Sequence, residues 1–556
     1  MTALKPPPGF TGRFFTDLAV RSAYSEGAGP FRIVPAAVAM PADRSDVARL
    51  ARWAADTATP LTPRGAGTGI PGNNVGAGVV ADLSFFERPL RVSLQQTANA
   101  GAAVTCAMLN QVGAHFGFRL GPDPSSAAYC TVGGMVATNA AGARSLRTGS
   151  IRAWVRGIEL VTVDGEAGWL ARHRAERVHR HSTPAARRQL VEHLLVEDRI
   201  NAVLPRLEAA RPHITARFPG VRKNSAGYAL DAYLASGELL DLVIGSEGTL
   251  GIVTRAELQL ERVPGATGTL LVALADLESL GDVVATLLPY GPVAVELLDR
   301  SFLDLAPLAA AAAVPLEGAR AVLLVDFDGI SEAEARAALD AAERAVAPAA
   351  LRTRSGVSRI EREALWRVRH GASAALATLP SERRSLQVIE DGCVPVGALG
   401  RYLAGVHAAA TEADVPIVAF GHAGDGHLHV NALVDVTVPG FEHRLERLLD
   451  AVTTLVVDLG GTTSGEHGDG RLRATALGRL YGPEVVGLFA AVKQAFDPAG
   501  VLNPGVIVPD GAPPLAGLKV GPAAAVIPDD IADRLRHRER TGEWALPPLT
   551  FLDPDQ

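Results

Sequence analysis

Cysteine is scarce: Cys106, Cys130 and Cys393 are the three in 556 residues, and no two form a CxxC pair. Three thiols exclude a disulfide framework and a zinc ribbon. They also fall short of the roughly four thiolates that an iron–sulfur cluster takes. Long apolar runs are missing too, since the most Ala-rich stretch, Leu305 to Leu316, is too short to cross a bilayer. Behind Lys5 the N-terminus has no apolar core, so Met1 to Phe10 does not read as a secretory signal, and a cytoplasmic protein is expected. Neither sign of charge accumulates. The 53 basic and 60 acidic residues leave a net −7, without the basic stripe that marks a nucleic-acid partner. Arg far outnumbers Lys, a bias of composition that carries no function.

The remainder is globular: 48% apolar and 20% charged residues exclude a disordered or fibrous chain. A length of 556 exceeds what one core serves, so two or more domains are expected. Glycine punctuates residues 61–165 and 245–251, leaving short strands such as Gly78–Asp82 and Gly157–Gly165. Between Ser45 and Ala55, Val47, Leu50, Ala51 and Ala54 recur at helical spacing. From residue 266 the rhythm changes. Strands are expected at Gly268–Ala275, Val293–Leu298, Ala319–Phe327, Leu386–Glu390 and Pro416–Phe420. Helices are expected at Leu277–Leu288, Gly397–Glu412 and Phe441–Gly460, and one opening on a Ser331/Glu334 capping box. The fold class is therefore α+β, with an antiparallel sheet covered by helices in the second part. Units 1–265, 266–509 and a proline-rich tail, 510–556, are expected, the tail wrapping the body with its charged stretch Arg534–Glu543.

Residues 67–72 satisfy GxGxxG, but Pro71, Gly72, Asn73, Asn74, Gly76 and Gly78 follow or close it and cannot continue the helix a Rossmann site needs. What survives is a loop of exposed N–H groups, either a phosphate-binding nest or a plain hairpin. A second small-residue stretch, Gly121 to Gly142, would let backbone approach a flat ring or simply pack tightly. Gly245-Ser-Glu-Gly-Thr-Leu-Gly-Ile-Val253 is a third, acidic turn. In this order and spacing the three resemble the PCMH-type FAD-binding domain of the vanillyl-alcohol oxidase superfamily, over roughly residues 30–265.

The resemblance implies that Pro63, Arg64, Gly65, Ala66, Gly67 and Thr68 line a pyrophosphate. It places Pro122, Asp123, Gly133, Gly134, Thr138, Asn139 and Gly142, then Glu247, Gly248, Gly251 and Ile252, around the flavin. The 60–78 loop has no His, and Cys130 lies outside any attachment pattern, so the FAD is expected to be non-covalent.

Histidines crowd into Gly421-His-Ala-Gly-Asp-Gly-His-Leu-His-Val-Asn431 and Ser464-Gly-Glu-His-Gly-Asp-Gly-Arg471. His427, His429 and Asn431 alternate with Leu428 and Val430, so a strand puts them on one face. Two imidazoles and the Glu466 carboxylate suit a catalytic divalent metal with open positions; the alternative is structural histidines. HxGDGxxH followed by SGEHG resembles the FAD-linked D-2-hydroxyacid dehydrogenases (D-lactate, glycolate and D-2-hydroxyglutarate enzymes), with an FAD-linked oxidase C-terminal domain.

That resemblance implies His422, His429 and Glu466 as ligands to Zn or Mn, His467 as catalytic base, Asn431 at the substrate and Asn503 at the flavin. His427 replaces the Asn of many relatives and is assigned a substrate contact or an alternative ligand. In Leu365-Trp-Arg-Val-Arg-His-Gly371, Arg369 is chosen over Arg367 to grip the substrate carboxylate. The SGEHGDGR and LYGPE segments look closest to relatives fused to an iron–sulfur module. This chain's electrons would then pass to a separate acceptor: a quinone, a cytochrome, an iron–sulfur subunit or an electron-transfer flavoprotein. A homodimer is left open. Competing readings are an alkyl-transfer synthase using FAD without net oxidation and a non-catalytic flavoprotein subunit. The first class carries consecutive histidines, whereas Leu428 separates His427 from His429.

Overall fold

A computed structural model describes residues 4–172, 198–305, 316–377, 379–380, 382–542 and 548–551. The Ala-rich stretch 306–315 and Glu543 fall outside them. Near the N-terminus a four-stranded sheet runs Arg13–Phe15, Ala37–Met40, Val79–Asp82, Leu61–Arg64, its last three strands parallel. Helix Arg44–Asp56 covers it, opened by the Asp43 carboxylate accepting from Asp46 N. Val47, Leu50, Ala51 and Ala54 are its buried face, as their spacing required.

A five-stranded antiparallel sheet follows: Leu90–Ser93, Thr97–Gly101, Ile252–Gln259, Val155–Val161, Ala167–Ala171. Between Gln259 and Ala266 the chain leaves it for an eight-stranded antiparallel sheet. The order there is Arg352–Gly356, Ala266–Leu274, Ala321–Gly329, Ala294–Asp299, Ile417–His422, His427–Asp435, Arg383–Leu386, with Gly392–Cys393 also on His427–Asp435.

Alternation sorts that sheet's side chains. Leu270, Val272, Leu323 and Val325 meet helices Leu280–Leu287, Glu332–Val346, Leu399–Ala413 and Phe441–Asp458. Leu271, Ala273, Val322 and Leu324 face the other way, toward Phe302, Leu365 and Val368 on Arg300–Leu303 and Arg359–Ala377. The Ser331 cap forms, its hydroxyl accepting from Glu334 N, but the Glu334 carboxylate accepts from Ile330 N, one residue earlier than a strict box.

The expected strand Leu386–Glu390 ends at Leu386. Beyond it Val388 and Ile389 stay in the core while the Glu390 carbonyl turns away to accept from His429 Nδ1. Ladder pairing there would cost this contact.

Helix Leu477–Phe496 returns to the first half, burying Leu477, Tyr481, Val485, Phe489 and Phe496 against Tyr228, Leu230 and Leu250. The tail does wrap the body. Helix Asp529–Thr541 seats Ile531 and Leu535 among Val20, Tyr24 and Val38.

Candidate active site

The three glycine-bearing loops meet. Pro63, Arg64, Gly65, Ala66, Gly67, Thr68, Gly133, Gly134, Thr138, Glu247, Gly248, Gly251 and Ile252 all line one cleft of about 390 Å³. No helix follows the 67–72 motif. The helix that does border the cleft is Val132–Thr138, capped by Thr131 accepting from Gly134 N. Glu247, held at φ +52, accepts from Asn73 Nδ2 at 2.8 Å, Asp469 N at 2.7 Å and Gly470 N at 3.0 Å. One carboxylate thus ties the first and third glycine loops to the 464–471 turn. Burial pushes its pKa up to about 7.

Several assigned residues act from behind this cleft. The Arg64 guanidinium turns inward, donating to the carbonyls of Glu26 (2.9 Å), Asn74 and Tyr24, so the side chain braces the loop. Asn503 is fully buried and donates to the Asn73 and Glu247 carbonyls at 2.7 and 2.9 Å. It fastens two loops and does not line the cleft. Asn139 is the left-handed cap of Val132–Thr138 and accepts from Arg152 N. Asp123 accepts from Arg144 N at 3.0 Å and packs on Gly142, while Pro122 is buried beside them, so this trio shapes the turn behind the cleft. Cys130 lines the cleft wall, where burial raises its thiol to about 11.

The two histidine turns converge. His422 and His427 pair across the hairpin, and Phe420 pairs with His429, so strand register alone sets four of the rings on one face. His422 Nε2, His429 Nε2 and Glu466 Oε1 stand 3.3 Å from one another in all three pairings. His467 Nε2 is 3.6 Å from the same Glu466 oxygen, and Glu466 and His467 both line the glycine-walled cleft.

Outward hydrogen bonds orient each ring. His422 Nδ1 pairs with Glu296, His429 Nδ1 donates to the Glu390 carbonyl at 3.0 Å, and His467 Nδ1 donates to Glu390 Oε2 at 2.7 Å. Carboxylates and carbonyls only accept, so Nδ1 carries the proton in each neutral ring and Nε2 turns its lone pair inward.

His427 is a correction. It is wholly enclosed, its Nε2 donating to Asp391 at 2.8 Å and its Nδ1 3.5 Å from Lys223 Nζ. Burial and Lys223 depress its pKa to about 3. It supports the Glu466 turn from beneath and is shut off from substrate. Asn431 lines a separate pocket beside Phe420, two residues along from His429. Arg369 is half-buried with its guanidinium 4.5 Å above the Phe420 ring and Nε 3.5 Å from Glu296, whereas Arg367 is exposed.

Charge decides the state of the cluster. Burial opposes ionisation of Glu466, but Lys223 (Nζ to Oε2, 2.8 Å) and His422 outweigh it and hold the carboxyl well below the usual range. Burial likewise opposes charge on His467, yet Glu390 and Asp391 raise it to about 9. His429 is raised to about 9 against burial by its bonds to Glu390 and Glu466. Lys223, Glu296, Glu390, Asp391 and Arg473 were not foreseen as site residues. Asp391 alone accepts from Ser464 Oγ (3.0 Å), Glu466 N (3.2 Å) and His467 N (3.0 Å). The one signal was the Glu390-Asp391 pair closing an apolar run.

Two family models match the chain: the FAD binding domain over residues 35–171 and the FAD linked oxidases, C-terminal domain, over residues 263–507. The chain belongs to the FAD-linked oxidase family. Among its curated relatives, glycolate oxidase subunit GlcD of Bacillus subtilis is 28% identical over 493 residues, 87% of this chain and 92% of that protein. D-lactate dehydrogenase of Archaeoglobus fulgidus is 27% identical over 474 residues, 85% and 91% of the two chains. D-2-hydroxyglutarate dehydrogenase of Escherichia coli is 29% identical over 533 residues, covering 90% of this chain but 51% of that one. Among solved structures, 4-ethylphenol oxidase of Gulosibacter chungangensis superposes with TM-score 0.61 at 13% identity, over 89% and 94% of the chains. An alkyldihydroxyacetonephosphate synthase gives 0.58 at 15% identity, over 88% and 82%. These two show the shared fold.

The residues present fit FAD. A side chain added at Gly134 would meet only Thr131 Oγ1, at 3.2 Å, and would otherwise stand in the cleft. The wall there is bare backbone, open to a flat ring. They also fit a divalent metal. Ligand atoms about 2.0–2.1 Å from zinc at tetrahedral corners lie ~3.3–3.4 Å apart, the spacing His422, His429 and Glu466 already hold. Among the described residues no helix is long and apolar enough to cross a membrane.

Proposed function

We propose that this FAD-linked oxidoreductase converts a small D-2-hydroxy acid to the 2-oxo acid. The observation that carries the reading is the triad of inward-facing ligand atoms at mutual 3.3 Å, with His467 alongside and the FAD cleft adjoining. Relatives named for glycolate, D-lactate and D-2-hydroxyglutarate support the substrate class. A Zn or Mn ion held by His422, His429 and Glu466 would supply Lewis-acid polarisation of the substrate hydroxyl. Bound FAD supplies the acceptor for the electron pair leaving the α-carbon.

The chain's own residues do the rest. In its neutral form, favoured as pH rises through about 9, His467 Nε2, its lone pair fixed inward by the Glu390 bond, takes the hydroxyl proton, and Glu390 and Asp391 stabilise the resulting imidazolium. Arg369, aligned over Phe420, clamps the substrate carboxylate. Arg369→Lys, which keeps charge but loses the planar fork, is expected to raise KM about tenfold with kcat changed less. Steady-state kinetics check this, and an unchanged KM removes Arg369 from the role. Asn431 completes the substrate side.

The reduced flavin then passes its electrons to a separate acceptor. Anaerobic titration of the yellow protein with D- and L-2-hydroxy acids tests the whole reading. Bleaching by the D series is expected, and flavin left oxidised by every acid overturns it.

A further inference from the structure

Beside the cluster lies a pocket of about 250 Å³ with Phe420 and Asn431 on its inner wall and Arg383, Arg384, Arg536 and Arg540 around it. Phe420 joins it to the cluster, its ring centroid 5.4 Å from that of His429 and 4.5 Å below the Arg369 guanidinium. Asn431 follows His429 on the same strand face, ~7 Å further along. We propose that this pocket receives a second carboxylate, so that the preferred substrate is a 2-hydroxy diacid. The proposal rests on the hydroxy-acid reading of the cluster.

Charge balance is the argument. Among the described residues Glu539 is the only acid lining the pocket, and it is shared between Arg384 at 2.7 Å and Lys519 at 3.0 Å. Arg536 pairs with Asp533 at the rim. Four guanidinium groups around one concavity repel one another, and an anion entering it relieves that repulsion while gaining forked hydrogen bonds. The ~7 Å from His429 to Asn431 along the strand exceeds the span of a three-carbon acid and is about that of a five-carbon diacid.

Half of this lining comes from the tail. Arg536 and Arg540 lie four residues apart, hence on one face of helix Asp529–Thr541, beyond the 263–507 match. The helix is fixed in place by Ile531 and Leu535, which pack in the core with Val20 and Val38. A segment that began as an unassigned tail therefore becomes a wall of the substrate site.

The test is anaerobic rapid-mixing reduction of the holoenzyme flavin by D-lactate, D-malate and D-2-hydroxyglutarate. The five-carbon diacid is expected to exceed D-lactate at least tenfold in reduction rate over dissociation constant. In the double variant Arg536→Glu/Arg540→Glu that diacid-to-monoacid ratio should fall at least tenfold. Both positions are exposed, and Arg536→Gln/Arg540→Gln should show a smaller fall in the same direction. Equal reduction by all three acids, or a ratio unmoved by either variant, overturns the diacid pocket alone. Flavin untouched by every acid overturns the cluster reading and this proposal with it.

Discussion

His467→Ala is expected to yield a folded, yellow protein whose flavin is reduced by a 2-hydroxy acid about 10²–10⁴ times more slowly, the usual worth of a positioned general base. The substitution removes the imidazole and little else. The turn that carries it is held by the backbone N–H groups of Glu466 and His467 on Asp391, which alanine keeps. Glu466 thus stays beside His422 and His429, and the glycine loops of the cleft are untouched. His467 is also the most accessible of these histidines, its side chain 24% exposed against 10% for His429 and none for His427, as a group that must meet substrate should be. Anaerobic rapid mixing, read with the flavin-to-protein ratio, separates the outcomes. Loss of flavin would make His467 a structural residue. Reduction at the parental rate would remove it from proton transfer.

How much of this was legible in the sequence depends on whether a residue's role is local. The alternation His427-Leu-His-Val-Asn431 is a local fact of strands, and it placed three polar side chains on one face correctly. Which of them reaches substrate was not local. His427 is sealed by Asp391 and Lys223, which arrive from elsewhere in the chain.

The same division runs through the cleft. Residues that contribute bare backbone, such as Gly65, Gly134 and Gly248, were readable because glycine announces its own purpose. The bracing roles of the Arg64 and Asn503 side chains were not readable, because a polar side chain near a ligand loop serves equally well to brace it. Lys223 carried no signal at all. It sits far from either histidine turn in sequence, yet it supplies the cation beside Glu466. Glu390 and Asp391 were hidden in an apolar run that looked like a strand to its end. The chain leaves the sheet there because both carboxylates are spent on histidines, backbone N–H groups and Arg473.

Chelating the divalent metal proposed for the triad is expected to remove hydroxy-acid reduction to background while the flavin spectrum persists, since the ligand atoms and the glycine loops occupy different walls. The pH dependence of reloading has a definite sign. Without a cation, His429 is held at about 9, burial being outweighed by its bonds to Glu390 and Glu466, and the His422 pKa is raised as well. A protonated imidazole cannot ligate, so binding must release the proton that His429 keeps below that pH. Metal affinity should therefore rise about tenfold per pH unit for each proton displaced, from neutral pH up to about 9, and level off above it. Equilibrium titration of the stripped holoenzyme with Zn or Mn between pH 6.5 and 9.5 measures the slope. An affinity flat with pH would mean that His429 is already neutral in the stripped protein. Full activity in the stripped enzyme would deny the triad any metal role. His429→Ala supplies the matching control. It removes one ligand without touching the cleft, so flavin should be retained while metal binding and reduction are lost together.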